Sequence, residues 1–245
     1  MSTIETFRKK FAEIANQEGL LKQEVLVKVK PLTTEQAIGT PERDDFPLQK
    51  GKERIIEADF LGSQGQAFTD SFHNFKSDVS GLLGLELSDR FNASVFIAAA
   101  NAVLRHLDLT DRTVHCRDKE PTQCAPQLVD YLRQAHPEAK RVALVGLQPA
   151  MAAALGKVYE LAILDLDPDN LGRQVGGAKV RNGATDLEEV ADWADILVST
   201  GSTLSNLSMD QIRQAAGEKP VVFFGITVSG AASLLGLERF CPLGH

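Results

Sequence analysis

The sequence predicts an α/β protein in which an N-terminal α+β part precedes a part built on a mostly parallel sheet. In the second half, short apolar runs do not alternate with polar residues, which is typical of strands covered by helices on both faces. In the first half, apolar and polar residues alternate along short segments, which is typical of strands with one exposed face. The four runs of the second half span residues 141–146, 161–165, 196–200 and 220–225.

The same patterns divide the chain into two domains. The first half predicts a strand over residues 25–29, an exposed loop over 39–52, and a hairpin between 56–60 and 66–75. Helices are expected to begin at small polar residues that can cap a first turn. These residues are Ser2, Ser88, Thr122, Thr185 and Ser208. The predicted domains are residues 1–138 and 139–245, because strand and helix begin to alternate strictly at this boundary.

Composition and charge narrow the class of partner. The 245 residues carry a net charge of −7 and a pI of about 5.3, without a run of lysine and arginine, so a nucleic-acid partner is not expected. No apolar run approaches the roughly 20 residues that span a bilayer, so no membrane partner is expected. Three cysteines without a secretion signal indicate the reducing cytoplasm.

Each of the four apolar runs ends in glycine or polar residues. Because the carboxyl ends of parallel strands share one edge of the sheet, and ligands bind at that edge, these turns predict a crevice for a small ligand. Its candidate ligand-binding residues are Gly146, Gln148, Asp165, Asp167, Thr200, Gly201, Ser202, Thr203, Asn206, Thr227 and Ser229.

A nucleotide-type cofactor is one hypothesis for this crevice. Dinucleotide sites use a G-x-G-x-x-G turn, but here Gln148 and Met151 stand where the second and third glycines would be. Asp165 ends the next strand, where an acidic residue would bind a ribose. SAM lacks the pyrophosphate that needs the glycines, so SAM and NAD both remain alternatives.

Two of the turns have both a ligand-binding and a purely structural interpretation. Asp165 and Asp167 would point the same way from an extended segment, as paired carboxylates for a hydroxyl, a metal ion or acid–base chemistry, or one of them caps a turn. Residues 200–203 offer hydroxyl and backbone N–H groups to an anion, or form an ordinary capped turn. The order of residues does not support a Ser-His-Asp hydrolase, and whether the protein is an enzyme stays open.

The three cysteines, Cys116, Cys124 and Cys241, are candidate ligands for a transition metal, together with the neighbouring His115. Their spacings match no zinc signature, and cysteines are often buried thiols without a ligand. Both interpretations are kept.

The segment 195–206, followed by Ser208 and its helix, resembles the strand–TGxTxxN–helix core of a family of unknown function described as putative heavy-metal chelation proteins. The helix around Asn101 resembles a helix near the end of that family's first domain. The resemblance covers most of residues 87–236. It implies an enolase N-terminal-like domain joined to a Rossmann-like domain, with a ligand site between them.

Residue by residue, the resemblance touches Asn101, Asp165, Thr200, Gly201, Ser202, Thr203 and Asn206. Residues 225–230 depart from the Gly-Pro-Ser type of turn in the family, which is compatible with a different ligand. Three functions compete: a protein that binds a small ligand, a heavy or transition metal or a metal–ligand complex; an enzyme with SAM or NAD; and a non-catalytic regulatory or partner protein. A homo-oligomer is compatible with all three.

Overall fold

The computed structural model describes residues 1–22, 26–50 and 54–245, which form two β-sheets and the helices around them. Val25 of the predicted first strand, and residues 51–52 of the predicted loop, lie outside the described residues. The α/β class predicted from the sequence is confirmed: a helix-and-sheet N-terminal part precedes a sheet of mostly parallel strands.

The first sheet is antiparallel and has the strand order β3-β2-β1-β4. Its strands are β1 (Leu26–Pro31), β2 (Arg54–Phe60), β3 (Ser63–Thr69) and β4 (Phe75–Asp78). Leu61 and Gly62 join β2 to β3 with φ angles of 52° and 86°, because a two-residue hairpin turn of this hand needs positive φ at both positions.

The predicted hairpin partner, residues 66–75, was only partly right. The strand that pairs with β2 is Ser63–Thr69, and Phe75 begins β4, which pairs with β1 instead. Phe72 lies between these strands, with the guanidinium carbon of Arg54 4.1 Å from the centre of its ring. The segment leaves the sheet near Asp70 because Thr69 turns its hydroxyl onto the backbone of Ser71.

The second sheet has the strand order β11-β10-β9-β5-β6-β8-β7. Its strands are β5 (Arg141–Val145), β6 (Glu160–Asp165), β7 (Gln174–Val175), β8 (Ala178–Asn182), β9 (Ile196–Thr200), β10 (Val221–Phe224) and β11 (Arg239–Phe240). All neighbouring pairs are parallel except β7 and β8. The sequence did not predict the β7–β8 hairpin, because these strands are short and their turn signal, Gly176-Gly177, follows no apolar run.

The described helices are α1 (Thr3–Gln17), α2 (Thr34–Ile38), α3 (Val79–Leu83), α4 (Arg90–His106), α5 (Glu120–Ala135), α6 (Pro149–Leu155), α7 (Leu187–Trp193), α8 (Met209–Ala216) and α9 (Ser229–Leu235). Ser2 caps α1 as predicted, by accepting the N–H of Glu5.

Two other predicted helix starts were displaced by one residue. Asp89 caps α4, and Asp186 precedes α7 without a side-chain cap. The prediction that Thr122 caps α5 was wrong, because Pro121 extends the first turn backwards to Glu120. The Thr122 hydroxyl is then buried, without a hydrogen-bond partner in the part of the chain that the structure describes.

Helices α4 and α5 belong to different hydrophobic clusters, α4 to the one on the first sheet and α5 to the one on the second sheet. Helix α4 packs on the first sheet so closely that a Cβ atom on Gly65 of β3 would overlap the backbone of Ala102. Helix α5 packs against α6, and its Leu128 and Leu132 share a core cluster with strands β5, β6, β9 and β10. The domain division at 138/139 stays a prediction.

Candidate functional site

A crevice of about 740 Å³ lies along the carboxyl edge of the second sheet and is closed on its other side by residues of the N-terminal half. This volume is in the range of sites for small organic molecules. Most of the lining is apolar, and the N-terminal half contributes part of it. Large apolar residues of the lining include Ile38, Phe46, Leu48, Phe68, Leu147, Met151, Phe224, Ile226 and Phe240.

The centre of the crevice is the topological switch point of the sheet. From β5 the chain continues to β6 on one side, whereas the later strand β9 lies on the other side. Gly146, directly after β5, has a φ of 87°, and a Cβ atom there would be 2.5 Å from Cγ2 of Thr200. Both the backbone angle and this contact explain why a glycine stands at this turn.

The carboxylate of Asp165 fastens the turns after β5 and β6. Its Oδ2 accepts the N–H of Leu147 at 2.6 Å, and its Oδ1 accepts the N–H of Asp167 at 2.7 Å and the amide of Asn170 at 3.2 Å. Asp167 in turn accepts the N–H of Asp169. Both aspartates line the crevice, and Asp165 has the turn-capping role that was one of its two predicted interpretations.

The turn after β9 uses many of its own polar groups. The Oγ1 of Thr200 lies 2.9 Å from the Oγ of Ser202 and accepts its N–H at 3.4 Å. The hydroxyl of Thr203 donates to the carbonyl of Thr200. Thr200, Ser202, Thr203 and Asn206 line the crevice, whereas Gly201 is not part of the lining and packs against Val228.

Of the two predicted site residues after β10, only one lines the crevice. Thr227 lines the crevice, and its Oγ1 accepts the N–H of Phe68 from β3 at 3.1 Å. Ser229 is fully buried, outside the lining, with its Oγ 2.6 Å from the carbonyl of Ile226.

Asn101 also lies outside the crevice lining and is fully buried. Its Nδ2 lies within 3.3 Å of the carbonyl oxygens of Gln66, Ile226 and Thr227, and its Oδ1 accepts the N–H of Gly230. The Asn101 side chain therefore joins the first sheet to the β10–α9 turn. Ile226 and Thr227 of this turn line the crevice.

All three cysteines line the same crevice. Burial raises the pKa of the Cys116 thiol, and the neighbouring Cys124 and Cys241 raise it further. Burial, followed by Cys241, raises the pKa of Cys124 to about 12. Residues that are distant in sequence are therefore brought to the lining of one crevice. All three are free thiols.

His115 lies beside this thiol wall, the name used here for Cys116, Cys124 and Cys241. Burial lowers the pKa of His115 to about 4, so the ring is neutral near pH 7. Its Nδ1 is 2.6 Å from the carbonyl oxygen of Cys116. A carbonyl only accepts, so Nδ1 carries the proton and Nε2 carries the lone pair. Within the described ranges, no three His, Cys, Asp or Glu side chains are already arranged around a common metal position.

The N-terminal half adds groups that the sequence did not point to. Arg90 and Asp70 line the crevice and form an exposed ion pair with a nitrogen–oxygen distance of 3.2 Å. Ser94, one turn further along α4, is buried beside them. These residues lie in segments without a strand-end pattern, so only the packing of α4 and β3 over the sheet identifies them.

The fold and the crevice define a two-sheet α/β protein with a ligand-sized site at a topological switch point. Residues 128–237 match the sequence profile of the family DUF364, whose description is "Putative heavy-metal chelation". The predicted resemblance to this family is confirmed. No curated protein matches the chain.

Solved structures resemble this chain to different degrees. A DUF364 protein of unknown function from Pyrococcus horikoshii is 17% identical, with a TM-score of 0.56, and covers 92% of this chain and 79% of its own. A second DUF364 protein of unknown function, from Desulfitobacterium hafniense, is 15% identical over 74% of this chain and 72% of its own, with a TM-score of 0.48. A Rex-family repressor structure is 18% identical over 40% of this chain and 52% of its own, with a TM-score of 0.31. The first likeness shows a shared fold, and the other two scores are too low to support an argument.

A search of the described helices for a membrane span gives a negative result, since none is both long and apolar enough to cross a bilayer.

Proposed function

We propose that the protein binds a small organic ligand in the crevice at the switch point, and that the thiol wall contacts a heavy or transition metal carried by that ligand or bound alone. The observation that supports this proposal is that Cys116, Cys124 and Cys241 line the same crevice as the strand-end turns. The family description is compatible with it.

The donor chemistry of the thiol wall fits a soft metal. Thiolate sulfur and imidazole nitrogen are ligands that transition and heavy metals prefer over the hard cations Mg²⁺ and Ca²⁺. Cys116, Cys124, Cys241 and His115 through Nε2 are the residues that would hold the metal. Bound metal would supply an electron-pair acceptor at this end of the crevice. Because no group of three of these side chains is already assembled in the described structure, binding needs side-chain rotation.

Cadmium titration tests this proposal without an activity assay. Cd²⁺ added to anaerobic wild-type protein should give a stoichiometric mass increase in native mass spectrometry and a sulfur-to-metal charge-transfer band in the ultraviolet. Each of Cys116→Ser, Cys124→Ser and Cys241→Ser should weaken the band, and the triple variant should abolish it. Mg²⁺ is the matched hard-cation control. A wild-type protein that stays free of Cd²⁺, or a triple variant that keeps the band, would contradict the metal contact.

A nucleotide-type cofactor such as SAM or NAD is the second candidate, because the crevice occupies the position at which open α/β sheets bind ligands. Asp165 would have to contact the ribose while it accepts three hydrogen bonds from the protein. If this candidate holds, SAM or NAD raises the melting temperature of the wild type, and Asp165→Asn reduces that rise. No shift with either compound at millimolar concentration rejects it.

A further inference from the structure

In three side chains of the crevice, the oxygen atom accepts a hydrogen bond from a backbone N–H group. Each of them also has a donor group that is not used in this bond. Oε1 of Gln148 accepts the N–H of Met151 at 2.5 Å. Oδ1 of Asn206 accepts the N–H of Ser208 at 3.0 Å and its hydroxyl at 2.6 Å. A backbone N–H can only donate, so these bonds fix which end of each amide is oxygen.

The donors of these amides have no partner among the described residues. Nε2 of Gln148 and Nδ2 of Asn206 therefore remain available in two half-buried side chains that line the crevice. Thr227 is similar, because its Oγ1 accepts the N–H of Phe68 and its own hydroxyl hydrogen has no acceptor in the described structure. Thr227 is only 1% exposed, so this hydrogen has little access to bulk water.

The three donors belong to adjacent strands. Gln148 follows β5, Asn206 follows β9 and Thr227 follows β10, and these strands are neighbours in the sheet order. All three residues line the same crevice. The carboxylates of Asp165 and Asp167 lie beyond β5, at the end of β6.

One cation accompanies these donors. Arg90 is the single lysine or arginine among the described residues of the lining. Its contact with Asp70 joins side chains that are 58% and 51% exposed, and such exposed pairs contribute little. An anionic ligand group can therefore take over the guanidinium at low cost and gain a charge-assisted hydrogen bond.

We infer that the crevice recognises an organic acid, whose carboxylate accepts hydrogen bonds from Gln148, Asn206 and Thr227 and pairs with Arg90. This inference rests on the proposed function, since it names the chemical class of the ligand of that same crevice. A carboxylate offers only acceptors, which complements the three donors and the guanidinium of Arg90. Carboxylates also coordinate metals, so such a ligand can carry a metal to the thiol wall.

Two probes with charges of equal size and opposite sign test the inference by isothermal titration calorimetry. Citrate is an acceptor-rich trianion, and spermidine is a trication without acceptors at neutral pH. Wild-type protein should bind citrate and bind spermidine at least about tenfold more weakly, because one charge-assisted hydrogen bond corresponds to roughly this factor. Absence of citrate binding, or tighter binding of spermidine, overturns the inference.

Isosteric variants then test the named side chains. Gln148→Glu and Asn206→Asp keep the oxygen that accepts the local backbone N–H and replace only the NH₂ donor by an acceptor. Each should weaken citrate binding by about tenfold or more, by loss of a donor and by charge repulsion. Gln127→Glu makes the same chemical change on the exposed face of α5 and should leave citrate affinity unchanged. Equal affinity in Gln148→Glu, Asn206→Asp and Gln127→Glu overturns the assignment.

Cd²⁺ binding separates this inference from the proposed function. Gln148→Glu should still give the sulfur-to-metal band, because Gln148 is not part of the thiol wall. If Cd²⁺ binds and citrate does not, the organic-acid inference fails while the metal contact stands. If citrate binds and Cd²⁺ does not, the metal contact fails while the inference stands.

Discussion

At the scale of single residues, Asn101 shows how much one buried polar side chain can hold in place. Its amide contacts four backbone groups: the carbonyl oxygens of Gln66 in β3 and of Ile226 and Thr227 after β10, and the N–H of Gly230 in α9. Without Asn101, the carbonyl oxygens of Gln66 and Thr227 and the N–H of Gly230 would lose this partner in an interior that water does not reach. The carbonyl oxygen of Ile226 would keep the hydroxyl of Ser229. Asn101 thereby fixes the distance between the two sheets on which the crevice depends.

We expect Asn101→Ala to lower the free energy of unfolding by about 3 kcal/mol or more, because buried polar groups left without a partner cost roughly 1–3 kcal/mol each. Urea denaturation measures the change. Asn92→Ala on the same helix is the matched control, since the Nδ2 of Asn92 makes one hydrogen bond, to the carbonyl of Glu86 near the surface. A difference between the two variants below about 1 kcal/mol would contradict the role of Asn101.

The positions of the candidate residues were more predictable than their bonding. Residues after β5, β6, β9 and β10 were expected in one crevice because the carboxyl ends of parallel strands share an edge, and residues from all four turns do line it. Asn101 could not be assigned, since its four partners lie 35 to 129 residues away in sequence. The shared position of Cys116 and Cys241 in the crevice lining could not be predicted either, because the two residues are far apart in sequence.

At the scale of elements, an ion pair joins the start of β5 to the start of β9. The side chain of Arg141 and the backbone N–H groups of Lys140 and Arg141 all donate to the carboxylate of Asp195. The Arg141 guanidinium holds the pKa of Asp195 well below its usual range, and the backbone donors lower it further. These are the two strands between which the switch point lies, so the pair aligns the strands that form the crevice.

The stability that this carboxylate contributes should depend on pH. A carboxyl group whose pKa is lower in the folded state stabilises fully above its unfolded pKa, about 3.9, and the effect is lost as the pH falls toward the folded pKa. Asp195→Asn should therefore destabilise the protein most between pH 5 and 7, and this difference should shrink below about pH 4. Urea denaturation across this range measures it.

The exposed Asp192 provides the control for that experiment, since Asp192→Asn removes the same charge three residues earlier. It should change stability little at any pH. If the effect of Asp195→Asn were equally large at pH 3 and pH 6, the ion pair would not be its source.

At the scale of the whole molecule, one hydrophobic cluster contains residues from both sides of the predicted boundary at 138/139. Apolar and polar residues alternate in the first half, as expected for an antiparallel sheet with one exposed face. The second half has continuous apolar runs, as expected for parallel strands, so both sheets were predictable. The packing between them was not, because it depends on which faces of α1, α4 and α9 meet. One hydrophobic cluster contains Phe7 and Phe96 together with Leu204, Phe223 and Val228 of the second half.

This shared cluster predicts that the two sheets unfold together. A domain boundary at 138/139 would instead allow two separate transitions. Trp193, the only tryptophan, reports on α7 beside the second sheet, and hydrogen exchange at the amides of α4 reports on the first. In urea both signals should change at one midpoint. Two midpoints would establish independent domains, and the crevice between them would then be an interface that ligand binding could open or close.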